Sequence, residues 1–454
     1  MSVSLIVTKF GGSSLADADQ MLKVRDILMA DPARKYAVPS APGKRFDGDT
    51  KVTDLLYRLY DQINQGHDSP PAEAEIRHRF EEIRDRLGLS TDVEGEMDEI
   101  VRSLRRGASA DYAASRGEYL NGMLLADLLG WEFIDAAGAI FFDRRGSYDA
   151  EKTLSILPRI LNSVDHAVIP GFYGSLPNGL VKTFSRGGSD ITGSIVARAC
   201  GASLYENWTD VSGFLMADPR IVENPRKIEV VTYRELRELS YMGASVLHED
   251  SIFPVLEAAI PINVRNTNAP EDSGTMIVPM LEAVPPGRSL ITGIAGRKNF
   301  TVITIEKDGM NNEVGFVGRV LQCLAKFELS FEHMPSSIDT VCIVIADKRI
   351  RGCIEELIDE LHVVCAPDAV EVSSNMALIA TVGRGMIRQI GLSARLFTAL
   401  ANERVNVRMI DQGSSEMNLI VGVENDDFER AVRAIYEAFV AAEEEKSRPV
   451  GPER

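Results

Sequence analysis

The chain is poor in several residue types that announce a function. Of its 454 residues, five are cysteine, two are tryptophan and six are histidine. The cysteines, Cys200, Cys323, Cys342, Cys353 and Cys365, are odd in number, contain no Cys-x-x-Cys pair and sit mostly in apolar surroundings. This argues against a disulfide framework, and they read as buried thiols. No uninterrupted apolar run is long enough to cross a bilayer, and the start, Met-Ser-Val-Ser-Leu-Ile-Val, lacks the basic, apolar and small-residue order of a signal peptide. A cytoplasmic protein without a membrane partner is expected. Positive charge is also short, with 49 Lys and Arg against 67 Asp and Glu and a net charge of −18. Nucleic-acid binders usually show a basic face, so no nucleic-acid partner is expected and an anionic substrate must be gripped by local cations.

What is present suggests an α/β chain of two or three domains, because its length exceeds that at which one core stops growing. Up to about Asn266, short apolar runs (Ser4 to Val7, Ala167 to Ile169, Ser203 to Glu206) alternate with amphipathic stretches, the pattern of a sheet covered by helices. Between Pro70 and Leu129 the sequence is strongly charged with helical spacing, as in Glu73 to Leu87 and Val93 to Arg106, and reads as a helical excursion. Thr267 to Ser289 carries Asn-Ala-Pro-Glu-Asp-Ser-Gly and Val-Pro-Pro-Gly, the composition of a connection rather than a core element. Beyond it, Arg319-Val-Leu-Gln-Cys-Leu-Ala matches Arg395-Leu-Phe-Thr-Ala-Leu-Ala at an offset of 76 residues. Each copy then runs into an expected strand, Leu329 to Met334 or Val405 to Ile410, and a turn with Ser336-Ser337 or Ser414-Ser415. Two βαββαβ units follow from this reading. The expected boundaries are 1–280 for the first domain, with the excursion at about 65–130, then 290–370 and 371–442 for the two units, and a disordered tail at 443–454.

Three segments carry chemistry. After the first strand, Lys9-Phe10-Gly11-Gly12-Ser13-Ser14 pairs glycines, which permit close backbone approach to a phosphate, with a lysine point charge. It is not a Walker A loop, whose lysine follows the glycines, and it reads equally as a turn between a strand and a helix. Ser185-Arg186-Gly187-Gly188-Ser189-Asp190 opens a helical run, where backbone N–H groups form an anion site. There Arg186 can fork onto a carboxylate and Asp190 can fix a lysine, although Ser189 or Asp190 could simply cap the helix. Asn207-Trp208-Thr209-Asp210 lies beyond a strand end, with Ala217-Asp218-Pro219-Arg220 soon after; Trp208 reads as a core anchor and Asp218-Pro219 as a turn.

Taken in order, and with Ser115-Arg-Gly-Glu118, Pro39-Ser-Ala-Pro-Gly-Lys44 and Met242-Gly-Ala-Ser-Val-Leu-His248, these segments resemble the aspartate kinases of the amino-acid kinase family over nearly the whole chain. The C-terminal repeat resembles the paired ACT domains of that family. The resemblance implies an amino-acid-kinase-type α/β sheet sandwiched by helices, followed by two ferredoxin-like ACT units. It implies an ATP-dependent kinase that phosphorylates the side-chain carboxylate of L-aspartate, with Mg²⁺ bound to the nucleotide and no dedicated metal ligands. Lys9 and Asp190 would be catalytic. Lys9, Phe10, Gly11, Gly12, Thr209, Asp210, Leu215, Arg220, Ser245 and Val246 would contact ATP, and Thr53, Glu118, Arg186, Gly187, Gly188 and Ser189 would hold aspartate. A zwitterionic amino acid independently needs a cationic fork for its α-carboxylate, here Arg186, and an anion for its ammonium, here Glu118. Many relatives carry lysine where Ser245 stands, so Lys44, Lys51 or Arg220 compensates or nucleotide handling is weaker.

An aspartate carboxylate is ionised at neutral pH, with an unperturbed pKa near ~4, so no general base is required and no histidine needs a catalytic role. For the repeat, the resemblance implies an inhibitory amino acid, lysine and/or threonine, and a homodimer or larger assembly through the ACT units. The loop Asn312 to Gly318 and the turn at 336–339 offer Val314, Phe316, Val317, Ser336, Ser337 and Asp339 to that effector. A kinase of glutamate, N-acetylglutamate or a nucleoside monophosphate, and a silent amino-acid sensor, are the rival readings. A fused homoserine dehydrogenase is not expected, because the sequence ends soon after the second repeat.

Overall fold

A computed structural model describes residues 5–68, 70–185, 187–243, 252–280 and 290–441. The tail 443–454 lies outside the described residues. In order, the chain forms β1 (Ile6–Phe10), α1 (Ala18–Met29), β2 (Arg34–Pro39), α2 (Val52–Asn64), α3 (Pro71–Leu87), α4 (Val93–Arg105) and α5 (Ala110–Leu129). It continues through β3 (Glu132–Phe133), α6 (Ala150–Leu161), β4 (Ala167–Val168), β5 (Tyr173–Ser175), β6 (Val181–Thr183), α7 (Gly188–Cys200) and β7 (Leu204–Thr209). Next come β8 (Phe214–Leu215), β9 (Lys227–Ile228), β10 (Val230–Thr232), α8 (Tyr233–Tyr241), α9 (Phe253–Glu257), β11 (Ile262–Asn266) and β12 (Thr275–Val278). By packing, the described residues up to 214, with 227–233 and 252–280, form one unit, and 215–226, 234–243 and 290–441 form the other.

The first unit is an eight-stranded sheet in the order β10-β12-β11-β7-β1-β2-β4-β3. The pairs β7–β1 and β1–β2 are parallel, so Thr209, Phe10 and Pro39 end on one edge, where open α/β sheets place ligands. The charged excursion turns an apolar stripe inward at helical spacing: Ile76, Phe80 and Ile83 on α3 and Met97, Ile100 and Leu104 on α4 join Phe10, Leu15, Met21 and Trp208 in one core. Burial of each such side chain stabilises the fold by about 1.5–3 kcal/mol. Pro71 opens α3 without an N–H to satisfy, and Gly88 closes it in the left-handed region at φ 65°. One expectation fails here. Thr275–Val278 is no connection but β12, which pairs antiparallel with β11, and its Thr275 and Ile277 are buried; Pro270 and Gly274 punctuate a hairpin rather than a linker.

The second unit contains β13 (Gly293–Glu306), α10 (Phe316–Lys326), β14 (Thr340–Ala346), α11 (Asp347–Ile350), α12 (Ile354–Cys365), β15 (Ala369–Val382), α13 (Leu392–Asn402), β16 (Met409–Asp411), β17 (Asn418–Glu424) and α14 (Phe428–Tyr436). Its five-stranded sheet runs β14-β13-β15-β17-β16. The long strands β13 and β15 pair from Gly293 with Val382 to Glu306 with Ala369, whereas β14 covers only Phe300–Glu306 and β17 only Met376–Val382. Each long strand therefore serves both repeats. Leu329 to Met334, expected as a strand, contributes only isolated bridges nearby at His333 and Ser336. Glu328 before it is left-handed at φ 55°, and Pro335 has no N–H to continue a ladder. Of the cysteines, only Cys323 and Cys365 are buried, because α10 and α12 turn them toward the core containing Phe316, Leu357 and Leu361; the other three are half-buried.

Candidate active site

The site grows from the carboxyl ends of β1 and β7, where the sheet register sets Lys9 beside Asn207. Lys9 is only 7% exposed, and its Nζ lies 2.6 Å from Asp190 Oδ1 on the first turn of α7. Asn207 closes the triangle, donating through Nδ2 to the same carboxylate oxygen at 2.8 Å and accepting from Lys9 Nζ at 3.5 Å. Tyr205 Oη donates to the Asp190 carbonyl at 3.2 Å, and the ring fits because position 193 is glycine: a Cβ there would lie 2.5 Å from that hydroxyl oxygen. Asp190 does not cap α7. The cap position is Gly187, at φ 57°, with no side-chain cap. The acid is thus bonded to the lysine and the amide, and a buried ammonium has a paired charge, without which burial is costly.

The paired glycines do more than turn the chain. Gly11 N donates to Trp208 O at 2.9 Å while Phe10 stacks on Trp208, with ring centroids 6.0 Å apart. Gly12 abuts the loop after β2, whose Gly43 N donates to Gly12 O at 2.8 Å. A Cβ on Gly12 would lie 2.9 Å from Ala41 O, so this close approach requires glycine.

Facing Lys9 and Asp190 is a cavity of about 220 Å³, lined also by Ser40, Thr53, Glu118, Phe172, Gly187, Gly188 and Ser189. Glu118 comes from the middle of α5, is 5% exposed, and its Oε2 has no hydrogen-bond partner. Burial pushes its carboxyl up to about 8, against opposing pulls from the Ala41 backbone and the Arg116 guanidinium. One oxygen of this buried carboxyl is therefore left without a hydrogen bond on the cavity wall, where a cation could pair with it once it is ionised.

Seven of the sequence-derived residues thus surround one space: Lys9, Thr53, Glu118, Gly187, Gly188, Ser189 and Asp190. Thr209 ends β7 and Asp210 follows it, with Thr209 Oγ1 donating to Asp210 Oδ1 at 3.2 Å. Leu215 and Arg220 fall in the second unit, where Leu215 is exposed and Arg220 is held 2.6 Å from Asp218. Arg186, Ser245 and Val246 lie outside the described residues. Sequence reasoning missed Asn207, Ser40 and Phe172 as site residues. Phe172 adopts φ 78°, unusual for a bulky residue; its N–H donates to Thr192 Oγ1 at 3.1 Å and its carbonyl accepts from Phe184 N at 2.9 Å. Its ring explains Gly188, since a Cβ there would lie 2.5 Å from Phe172 Cδ2. Nothing in the sequence signals that strain.

In the second unit, α10 begins after Gly315 at φ 85° with no side-chain cap. Val314 is 98% exposed and Val317 half-buried, while Phe316 points into the core. Ser336 and Ser337 are exposed. Asp339 Oδ1 accepts from Gly309 N at 2.8 Å, and Ile338 O accepts from Asn311 N at 3.1 Å, which ties this turn to the loop before α10.

With this geometry described, the chain can be set beside known proteins. The amino acid kinase family matches residues 4–266, and the ACT domain matches 379–439. Aspartokinase 3 of Bacillus subtilis is 37% identical over 96% of this chain and 98% of its own length. The crystal structure of Clostridium acetobutylicum aspartate kinase is 53% identical, with a TM-score of 0.88 over 96% of this chain and all (100%) of that one. Two structures of E. coli aspartokinase III, one with aspartate and ADP and one with lysine and aspartate, are each 27% identical, with TM-scores of 0.72 over 96% of this chain and 99% of theirs. The chain belongs to the amino acid kinase family and, within it, to the aspartokinases.

Proposed function

We propose that the cavity between Lys9, Asp190 and Glu118 receives L-aspartate, and that the chain transfers the γ-phosphoryl group of ATP to its side-chain carboxylate, giving 4-phospho-L-aspartate. This is the first step toward lysine, threonine and methionine. The carrying observation is the pairing, across one space, of a buried ammonium held by Asp190 and Asn207 with a buried carboxyl that has a free oxygen. Glu118, with Thr53 beside it, takes the substrate ammonium; Arg186 and the N–H groups of Gly187 to Ser189 take the α-carboxylate.

The substrate carboxylate is the nucleophile and is already ionised, so the protein's task is in-line positioning of two repelling anions and neutralisation of charge on the transferring group. Lys9 supplies that charge where it develops, while Gly11 and Gly12 let the backbone approach the phosphates. Asp190 holds Lys9 rather than acting as a base. Thr209 and Asp210, at and just beyond the end of β7, complete the nucleotide site of the first unit in this reading. Among the described residues no group of three or more His, Cys, Asp and Glu is arranged to hold a metal. A Mg²⁺ ion bound to the nucleotide would supply charge neutralisation at the phosphates.

The start of α10 and the 336–339 turn take an amino-acid effector in the same reading; lysine, with which the E. coli relative forms a complex, and threonine are the candidates. We further read the protein as a cytoplasmic homo-oligomer assembled through its ACT repeat. Among the described residues no helix is long and apolar enough to cross a membrane. ADP release that requires both ATP and L-aspartate, and that lysine or threonine suppresses, is the expected result. Equal turnover with glutamate, or none with aspartate, would overturn it.

A further inference from the structure

Arg79 comes from α3, in the charged excursion, yet it is only 3% exposed and binds backbone far from its own helix. Its Nη2 donates to Gly43 O and, at 3.3 Å, to Ala16 O, while Nη1 donates to Asp49 Oδ2 at 3.0 Å. Those carbonyls flank the glycine turn after β1. Ala16 follows the 3₁₀ turn Gly12–Leu15, and Gly43 is the residue whose N–H donates to Gly12 O at 2.8 Å. A Cβ on Gly43 would lie 2.5 Å from the Gly12 carbonyl carbon, so the two loops touch backbone to backbone with no side chain to keep them apart. Asp49, the third partner, also binds Arg45 and sits in the segment between Gly43 and Thr53.

A buried guanidinium is a costly way to fasten a helix. Burial pushes this one below its ordinary value, its Nε has no partner, and an apolar side chain of similar size often serves packing as well or better. What an apolar residue cannot do is bind two carbonyls and a carboxylate with one planar group. We propose that Arg79 is a positioning residue for phosphoryl transfer, fixing the loop after β2 and the turn after β1 in the arrangement that presents Gly12 to the nucleotide phosphates. The inference rests on the phosphate-facing role given above to Lys9–Gly12. It gives the excursion a function in the reaction, since a shift of α3 moves the glycine turn.

The test compares steady-state kinetics and ATP affinity of the full chain with those of Arg79→Lys and Arg79→Ala. Arg79→Lys keeps the charge but loses the fork. It should melt within a few degrees of the parent, with kcat lower by about tenfold or more, KM for ATP raised several-fold and KM for aspartate within about twofold. Guanidinium ion, added far below denaturing concentrations, should restore turnover in Arg79→Ala several-fold. Parental constants in a folded Arg79→Lys would overturn the proposal. So would losses that merely follow the folded fraction and do not respond to guanidinium. If Arg79→Ala does not fold, Arg79→Lys alone decides. A parent without turnover would instead sink the kinase reading, and the ATP affinities of parent and Arg79→Lys would still decide the role of Arg79.

Discussion

Two helices in this chain begin the same way and end up in opposite surroundings. Both α7 and α10 start after a left-handed glycine, Gly187 or Gly315, and neither has a side-chain cap. A helix start not closed by a side chain is where N–H groups can meet an anion, although at α10 the first of them, Phe316 N, already donates to Glu313 O at 3.2 Å. At α7 the neighbours are a buried ammonium and a buried carboxyl: Lys9 is paired with the half-buried Asp190, and Glu118 faces the same cavity. At α10 the neighbours are exposed: Val314 stands in solvent, and Asp339 is already committed to a backbone N–H. A helix start alone is generic; the charge around it and the water excluded from it decide whether it can do chemistry or only bind.

Removing the charge at α7 should produce the largest effect. Lys9→Ala should cost on the order of 3–4 kcal/mol of transition-state stabilisation, roughly a hundredfold to a thousandfold in rate, without loss of the thermal transition. Near-normal turnover would take Lys9 out of the mechanism. Asp190→Asn should come next, lowering kcat by about ten- to a hundredfold while KM for aspartate stays broadly the same, because the acid holds Lys9 and not the substrate. A pure rise in KM would reassign it to binding.

The third expectation follows from Glu118, whose carboxyl is pushed up to about 8 from its ordinary 4.5. Below that value the substrate-free protein holds it neutral, and a substrate ammonium needs it charged. KM for aspartate should therefore fall as pH rises toward and through about 8, and Glu118→Gln should bind weakly with a flat profile. The stability sign is opposite. A carboxyl with a raised folded value contributes stability that is complete below 4.5 and lost as pH rises through about 8, so the substrate-free Gln variant should lose less stability over that window. A profile of KM that is unchanged by the substitution would separate Glu118 from the ammonium. The smallest effect belongs to α10: Val314→Asp should change stability by no more than about 0.5 kcal/mol, since a fully exposed side chain packs on nothing. It should nevertheless raise the lysine or threonine concentration for half-inhibition, by about tenfold if it destroys one apolar wall. Unaltered inhibition would move the effector site elsewhere.

The same contrast runs through what the sequence disclosed. The glycine pair and the start of α7 were legible because each imposes a local backbone requirement that few residues meet, and Lys9 because its charge stands next to that glycine pair in the sequence. The repeat was legible too, and its equivalence extends to backbone angles: Gly315 and Gly391, at the same offset as the repeat, have φ 85° and 86°. Asn207, Ser40 and Phe172 were not, because an amide in a strand, a serine after one and a strained phenylalanine gain meaning only from partners far along the chain. Long-range pairing also hid the shared strands β13 and β15, and it turned the Pro- and Gly-marked stretch around β12 into sheet.

The most direct test of the central claim is to trap the product with hydroxylamine while following ADP release from ATP, Mg²⁺ and L-aspartate. Aspartyl hydroxamate that accumulates in step with ADP, and that vanishes in Lys9→Ala, is the expected result. ADP release without hydroxamate, or release indifferent to aspartate, would contradict phosphoryl transfer to the side-chain carboxylate.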